Sequence, residues 1–346
     1  MKPFNFNEDV VSTNVVVTDG FFDGGVGSLA GSNFTTSSLS TTQKKYYYNL
    51  QYNSKDHLSV SYGHIAGSGS SNQSSTVEGE TKAVYRQFYS ITENDRTALK
   101  NTQGWIINSV TQSDAYFIVA ERLHMKDRLN PGTWTIMLSG SNTGVGSKST
   151  GSKLHLTDDS KTTDATAAPF GEKYNVYSGS AGTVQSTGTK YGFFYPDAGL
   201  WVLSAKSLSG SLPGIPNWKN SGSGEVGAGN GLAPDVRVVG AADNAWKLPR
   251  ALSLGSVTLR SEENQYIYDY FCRAKANEFN YSENLTFWSG SQYKIRHSDM
   301  QNNPQTYVTE VGLYDDNASL MAIGRLSAAL EKNFSSEAIV KVRLTY

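Results

Sequence analysis

Short apolar segments that alternate with period two run along most of this chain, and that pattern constrains its fold more than any other feature. Side chains alternate between the two faces of a strand, so such alternation marks strands with one dry and one wet face. Tyr46, Tyr48, Leu50 and Tyr52 fall on one face, and Leu58, Val60 and Tyr62 share a face in the next segment. Asn53-Ser54-Lys55-Asp56 between them is turn chemistry, which predicts a hairpin. Ala115 to Ala120 is a continuous apolar run and predicts a strand covered on both faces. Trp134, Ile136 and Leu138 alternate, as do Leu154 and Leu156, and Leu200 to Leu203 reads as a short buried strand. Val340, Val342, Leu344 and Tyr346 point one way while Lys341, Arg343 and Thr345 point the other.

Two segments read as helices. Thr81 is placed to cap a short helix over 82–90 that carries Val84, Tyr85 and Phe88 on one side. Ser261-Glu262-Glu263 offers a cap and an acidic first turn, followed by the stripe Tyr266, Ile267, Tyr270, Phe271 and Ala274. Arg273 and Lys275 complete the charge pattern of a longer helix near 261–276, with Cys272 as an inert thiol beside the stripe. The expected fold is therefore mainly β, a β-rich α+β chain of antiparallel sheets or a sandwich with these two helices. The expected divisions are an N-terminal arm over 1–40 and a β-rich domain over 41–169. A Gly/Ser/Pro-rich insertion or small second domain follows over 170–250, and 251–346 completes the β-rich body. The Gly- and Ser-rich stretches 67–75, 140–152, 178–188 and 207–231 read as loops.

Composition narrows the function. Charged residues make up 18% of the 346, and the net charge of −1 provides no long-range attraction for nucleic acid or an acidic membrane. One Cys excludes a disulfide framework and a four-thiolate metal site. The N-terminus lacks the apolar core of a signal peptide, and no apolar run has the roughly 18–20 residues of a membrane-spanning helix. The chain is thus expected to fold in a cytoplasm with no membrane insertion.

Catalytic and ligand motifs are not evident. The histidines His57, His64, His124, His155 and His297 show no metal-ligand spacing. His155 beside Asp158 and Asp159 reads as a solvated turn, and Asp315-Asp316-Asn317 as a hairpin turn rather than a calcium loop. There is no Gly-x-Ser-x-Gly elbow, and Ser147 breaks the phosphate-loop pattern of Gly144 to Ser149. The expectation is no enzyme, no cofactor and no metal. Trp134 and Trp201 read as core, whereas Trp218 and Trp246 lie in polar surroundings where a glycan contact stays open. A carboxylate pair far apart in sequence also stays open.

Three stretches carry a family resemblance. The first is Val60-Ser61-Tyr62-Gly63-His64-Ile65-Ala66-Gly67 with Thr81 to Phe88, and the second is Glu278-Phe279-Asn280-Tyr281-Ser282. The third runs from Asn303 through Tyr307-Val308-Thr309-Glu310-Val311-Gly312-Leu313-Tyr314-Asp315-Asp316 to Leu320–Ser327 and the last strand. Together they resemble virion structural proteins, of the tail baseplate or fibre-attachment type, from contractile-tailed phages of marine bacteria and cyanobacteria. The third stretch also resembles modules of phage tail-fibre and baseplate proteins. It reads as a strand, a tight turn and a return strand, with Val340–Tyr346 as a third strand and the 261–276 helix as a cover. The resemblance implies a virion protein made in the host cytoplasm that works by assembly. Its implied partners are other virion structural proteins and further copies of itself. Tyr62, Gly63, His64, Gly67, Tyr307, Glu310, Gly312 and Tyr314 are the candidate assembly residues. The alternatives are a neck, sheath-terminator or capsid-associated position and, in another class, a glycan-binding receptor protein or spike-type depolymerase.

Overall fold

The computed structural model describes residues 4–36, 47–67, 80–93, 104–139, 153–211, 244–290 and 294–346. In chain order the strands are β1 Val10–Gly20, β2 Ser28–Ala30, β3 Thr35–Thr36, β4 Tyr47–Tyr52, β5 Lys55–His64, β6 Ile106–Ile107, β7 Val110–Thr111 and β8 Asp114–Ala120. Then come β9 Arg128–Leu129, β10 Thr135–Ser139, β11 Lys153–Asp158, β12 Thr166–Ala168, β13 Gly171–Ser180, β14 Thr183–Ser186, β15 Gly192–Tyr195 and β16 Leu200–Ser204. The last are β17 Ser256–Thr258, β18 Arg260–Ala274, β19 Trp288–Ser289, β20 Lys294–Ile295, β21 Thr306–Tyr314, β22 Leu320–Lys332 and β23 Ala338–Thr345. The α-helices are α1 Phe6–Asp9, α2 Thr81–Thr92, α3 Ala205–Ser211 and α4 Asn244–Ser253. The chain is mainly β and its sheets are antiparallel, as the alternation predicts.

Contacts divide the chain into a large unit, Val17–Glu263, and a small unit, Met1–Val16 with Asn264–Tyr346. The large unit is built on a 13-stranded sheet in the order β2-β17-β10-β11-β13-β15-β16-β8-β5-β4-β3, with β12 and β14 paired to β13 off this path. Its end strands β2 and β3 are neighbours in sequence, separated by the 3-10 turn Gly31–Asn33 and Phe34. The sheet therefore curls into a half-barrel, and α4 lies against β4 and β5 from one end and β10 and β17 from the other. β8 is buried on both faces. Tyr116, Ile118 and Ala120 join Trp134, Trp201 and Leu203 in the main core, while Ala115 and Phe117 join Tyr85 and Trp105 in a second core. Helix α2 covers that second core with Val84, Tyr85 and Phe88, the stripe read from sequence. Its N-cap is Glu80, so Thr81 is a buried first-turn residue rather than the cap.

The β4–β5 hairpin turns on Asn53 and Ser54 alone, both with positive φ (51° and 59°), which is the tight turn that matches strand twist. Residues 178–188, expected as a loop, include the end of β13 and all of β14, joined at Ala181-Gly182. Within the segment expected as an insertion, β13, β15 and β16 are strands of the large sheet, and 212–243 lies outside the described residues.

The expected helix near 261–276 is strand β18. Ser261 pairs with Leu129 and Glu262 with Arg128 in the large unit, while Ile267 to Ala274 pair with Thr345 to Ala338 in the small unit. The physical reason lies in the aromatic run. Tyr266, Tyr268 and Tyr270 alternate, and a period-two repeat also falls at i+4, so it imitates a helical stripe. Tyr, Ile and Phe favour the pleated backbone, and β23 supplies an alternating partner. The acidic residues read as a helix start instead form ion pairs: Glu262 with Arg128 of β9 at 2.6 Å and Glu263 with Lys126, just before β9, at 3.1 Å.

Candidate functional site

The small unit holds two β layers. β18 pairs β23 in one, and β21 pairs β22 as a two-stranded sheet in the other. β23 is thus the partner of β18 and not the expected third strand of the hairpin, which has no helical cover of the kind expected from 261–276. The layers meet through Gly324, where an added Cβ would stand 3.3 Å from Val342 Cγ2. Leu313 and Val342 are buried here, and Val311, Ala322 and Gly324 are half-buried, so this is the more enclosed face of the hairpin.

The outer face is wet and apolar. Strand alternation puts Glu310, Gly312 and Tyr314 of β21 on this face. Their cross-strand partners are Arg325, Ile323 and Leu320. Tyr314 is 47% exposed, Ile323 59% and Met321 68%. The Tyr314 ring and Leu320 close over Gly312: a Cβ there would stand 2.9 Å from the ring and 3.2 Å from Leu320 Cδ1, so these exposed side chains would have to shift. Arg325 donates from Nε (2.8 Å) and Nη2 (2.5 Å) to Glu310 Oε1. This exposed pair is screened by water and orients more than it stabilises. The turn is held by Asp315, whose Oδ1 accepts from the N–H groups of Asn317 and Ser319, with Ala318 at φ 62°. That is the hairpin turn read from sequence. Tyr307, near the far end, is 56% exposed.

A buried ammonium holds that far end. Lys332 has no exposed surface and donates from Nζ to Asn280 Oδ1 (2.8 Å), Asn333 O (2.8 Å) and Ala276 O (3.1 Å). Asn280 Nδ2 donates to the same Ala276 carbonyl at 2.7 Å. The Glu278–Ser282 stretch of the resemblance is thereby tied to the end of β22. At the centre of the other layer, Asp269 accepts two hydrogen bonds from Arg343 and an ion pair from Lys341. Those bonds, chiefly Arg343's, hold its carboxyl well below the usual carboxylate range. Further apolar side chains of the small unit face water: Val11, Val15 and Val16 on β1, and Phe279, Tyr281, Leu285 and Phe334.

The other candidate residues lie inside the large unit. Tyr62 packs on Tyr116 and donates its hydroxyl to Asp114 Oδ2 at 3.2 Å. His64 sits opposite Asp114 in register, buried, and its Nδ1 accepts from Ala66 N–H. Gly63 faces α2: a Cβ there would stand 2.8 Å from Tyr85 N and 2.9 Å from its Cα. Gly67 takes φ 77° to end the turn after β5. These four residues shape a core, whereas Tyr307, Glu310, Gly312 and Tyr314 form an exposed face.

Several polar groups escaped the sequence reading. Lys247 on α4 is 1% exposed, and its Nζ meets no hydrogen-bond acceptor among the described residues. Burial pushes its pKa down to about 8, against the pull of the Asp114 carboxylate. Arg128 bridges Glu262 and Glu172, with Asp197 at 3.9 Å. His57 and His124 stack with ring centres 3.9 Å apart. Each group is assembled from segments distant in sequence, so no local spacing announces it. Among the described residues no group of three His, Cys, Asp or Glu side chains is placed to hold a metal ion. Trp105, Trp134 and Trp201 are core, while Trp218 and the Trp246 side chain lie outside the described residues. No family model, curated protein or solved structure matches the chain.

Proposed function

We propose that this chain is a structural component of a bacteriophage virion, at the tail baseplate or where fibres attach, acting through protein–protein assembly and not through catalysis. The observation that carries the reading is the outer face of the β21–β22 hairpin. A two-stranded ribbon gains little stability by itself, and this one is enclosed on one side only, where Leu313 is buried and Val311, Ala322 and Gly324 are half-buried. Its other side exposes Tyr314, Met321 and Ile323 around an oriented charge pair. Clustered exposed apolar side chains rimmed by polar groups mark protein-binding surfaces. The same strands carry the Tyr307–Asp316 stretch that resembles tail-fibre and baseplate modules. The partners in this reading are other virion proteins and symmetric copies of the chain.

The test is a purified particle. The protein should be found in intact virions, and density for it should place the hairpin against a neighbouring subunit. Ile323→Asp should leave the isolated chain folded, because the side chain is exposed, yet reduce its incorporation at least tenfold. Absence from intact particles, or normal incorporation of the variant, would contradict the proposal.

A further inference from the structure

The stacked histidines of the large unit form a device with a direction. The loop after β1 folds back on itself through a bridge between Phe22 and Val26, with Gly24 and Gly25 at positive φ. Phe21 and Phe22 are each 1% exposed, so the loop closes part of the main core. Asp23 at its tip is tied to the β4–β5 hairpin in three ways. Its carboxylate meets Lys55 Nζ at 2.6 Å and Asn53 Nδ2 at 3.3 Å, and its N–H donates to His57 Nε2 at 3.1 Å.

These bonds fix the proton on His57. The Lys55 carbonyl lies 2.9 Å from Nδ1 and only accepts, so Nδ1 carries the hydrogen. The Asp23 N–H only donates, so Nε2 is bare and the ring is neutral. The ring has no solvent exposure and is enclosed by Phe21, Phe22, Tyr52 and the parallel ring of His124. His124 donates from Nε2 to the Asp56 carbonyl at 3.1 Å. Among the described residues, the titratable and charged groups facing His57 are Asp23 from the loop, Lys55 from β5 and the His124 ring from the 3-10 turn Arg122–His124. Asp23 attracts a proton to the ring, but its carboxylate is already engaged by Lys55.

We infer that His57 is an acid-opened latch: protonation at Nε2 sets its new N–H against that of Asp23, breaks that bond, and releases the Phe21–Val26 loop from the half-barrel. Burial, the largest influence, holds the His57 pKa below the ordinary imidazole value, with His124 adding to the effect. The opened or unfolded form therefore takes up the proton first as pH falls. The latch holds above about pH 6.5 and weakens progressively below it.

The experiment is an NMR titration of the full chain from pH 7.5 to 4.5, with hydrogen exchange across the same range. At neutral pH the His57 ring should show the Nδ1–H tautomer, and its titration midpoint should lie below the ordinary imidazole value of about 6.5. Protection of the Phe22, Asp23, Gly25 and Val26 amides, corrected for intrinsic exchange, should fall by up to about tenfold per pH unit below 6.5, while β8 amides keep theirs. An Nε2–H tautomer at neutral pH, a midpoint at or above about 6.5, or loop protection unchanged through the titration would each overturn the inference.

Discussion

Replacing Lys332 by Met tests whether a buried ammonium holds the end of the β21–β22 hairpin. Met matches the stem of Lys and removes the charge. Asn280 Oδ1 and Asn333 O then lose their Lys332 bonds, while Ala276 O keeps the one from Asn280 Nδ2. A buried acceptor left without a donor costs about 1–3 kcal/mol, so the two together lose about 2–6 kcal/mol. Relief from burying an ammonium offsets part of that, and Asn333 is only half-buried and regains some water. The expected net loss is about 2–4 kcal/mol. Because the chain has two units, a single global transition is the wrong measure. Hydrogen exchange of peptides covering 275–282 and 328–336 reads the local opening directly. Asn280→Leu combined with Lys332→Met should lose less than the sum of the two single changes, with a coupling of at least about 1 kcal/mol. A single-variant loss below about 0.5 kcal/mol in those peptides would refute the reasoning.

Three other perturbations address other parts of the molecule. Gly63→Ala places a methyl against the α2 backbone at Tyr85, and this overpacking should destabilise the large unit by about 1–3 kcal/mol, measured as a lowered urea midpoint. Asp269, with its folded pKa depressed by Arg343 and Lys341, contributes stability that is present above about pH 4 and lost as pH falls further. Asp269→Asn should therefore weaken the small unit at neutral pH and flatten its acid dependence between pH 2 and 6; an equally steep profile would count against the assignment. Deleting Tyr307–Tyr346 removes all of β22 and β23 and nearly all of β21, and should abolish folding of the small unit or incorporation into particles, with normal particles as the contrary result.

The strands were legible wherever one face of the sequence met one environment. β4, β5, β8, β10, β16 and β23 each show their burial in their own residues, and the Asn53-Ser54 and Asp315 turns carry their own chemistry. β18 was not legible, because a Tyr-x-Tyr-x-Tyr run satisfies period two and i+4 together, and only its distant partner β23 decides between them. The sequence also left open which motif residues face water. Tyr62 and Tyr314 look alike as letters, yet Tyr62 faces Tyr116 in the core, whereas Tyr314 lies over Gly312 on a wet face. Lys332 reads as one more surface cation until Asn280, 52 positions earlier, is brought against it.

The sequence positions of the two units govern the order in which they can form during synthesis. The small unit joins residues before 17 to residues after 263, so β1 must wait for its partner β18, which begins 240 positions after β1 ends. The half-barrel has a shorter delay of the same kind: β2 pairs with β17, whose residues 256–258 follow it by more than two hundred positions. Domains generally fold as units while the chain emerges, so the large unit is complete first. The apolar hairpin face, carried by residues 306–332, then appears only after the large unit is complete.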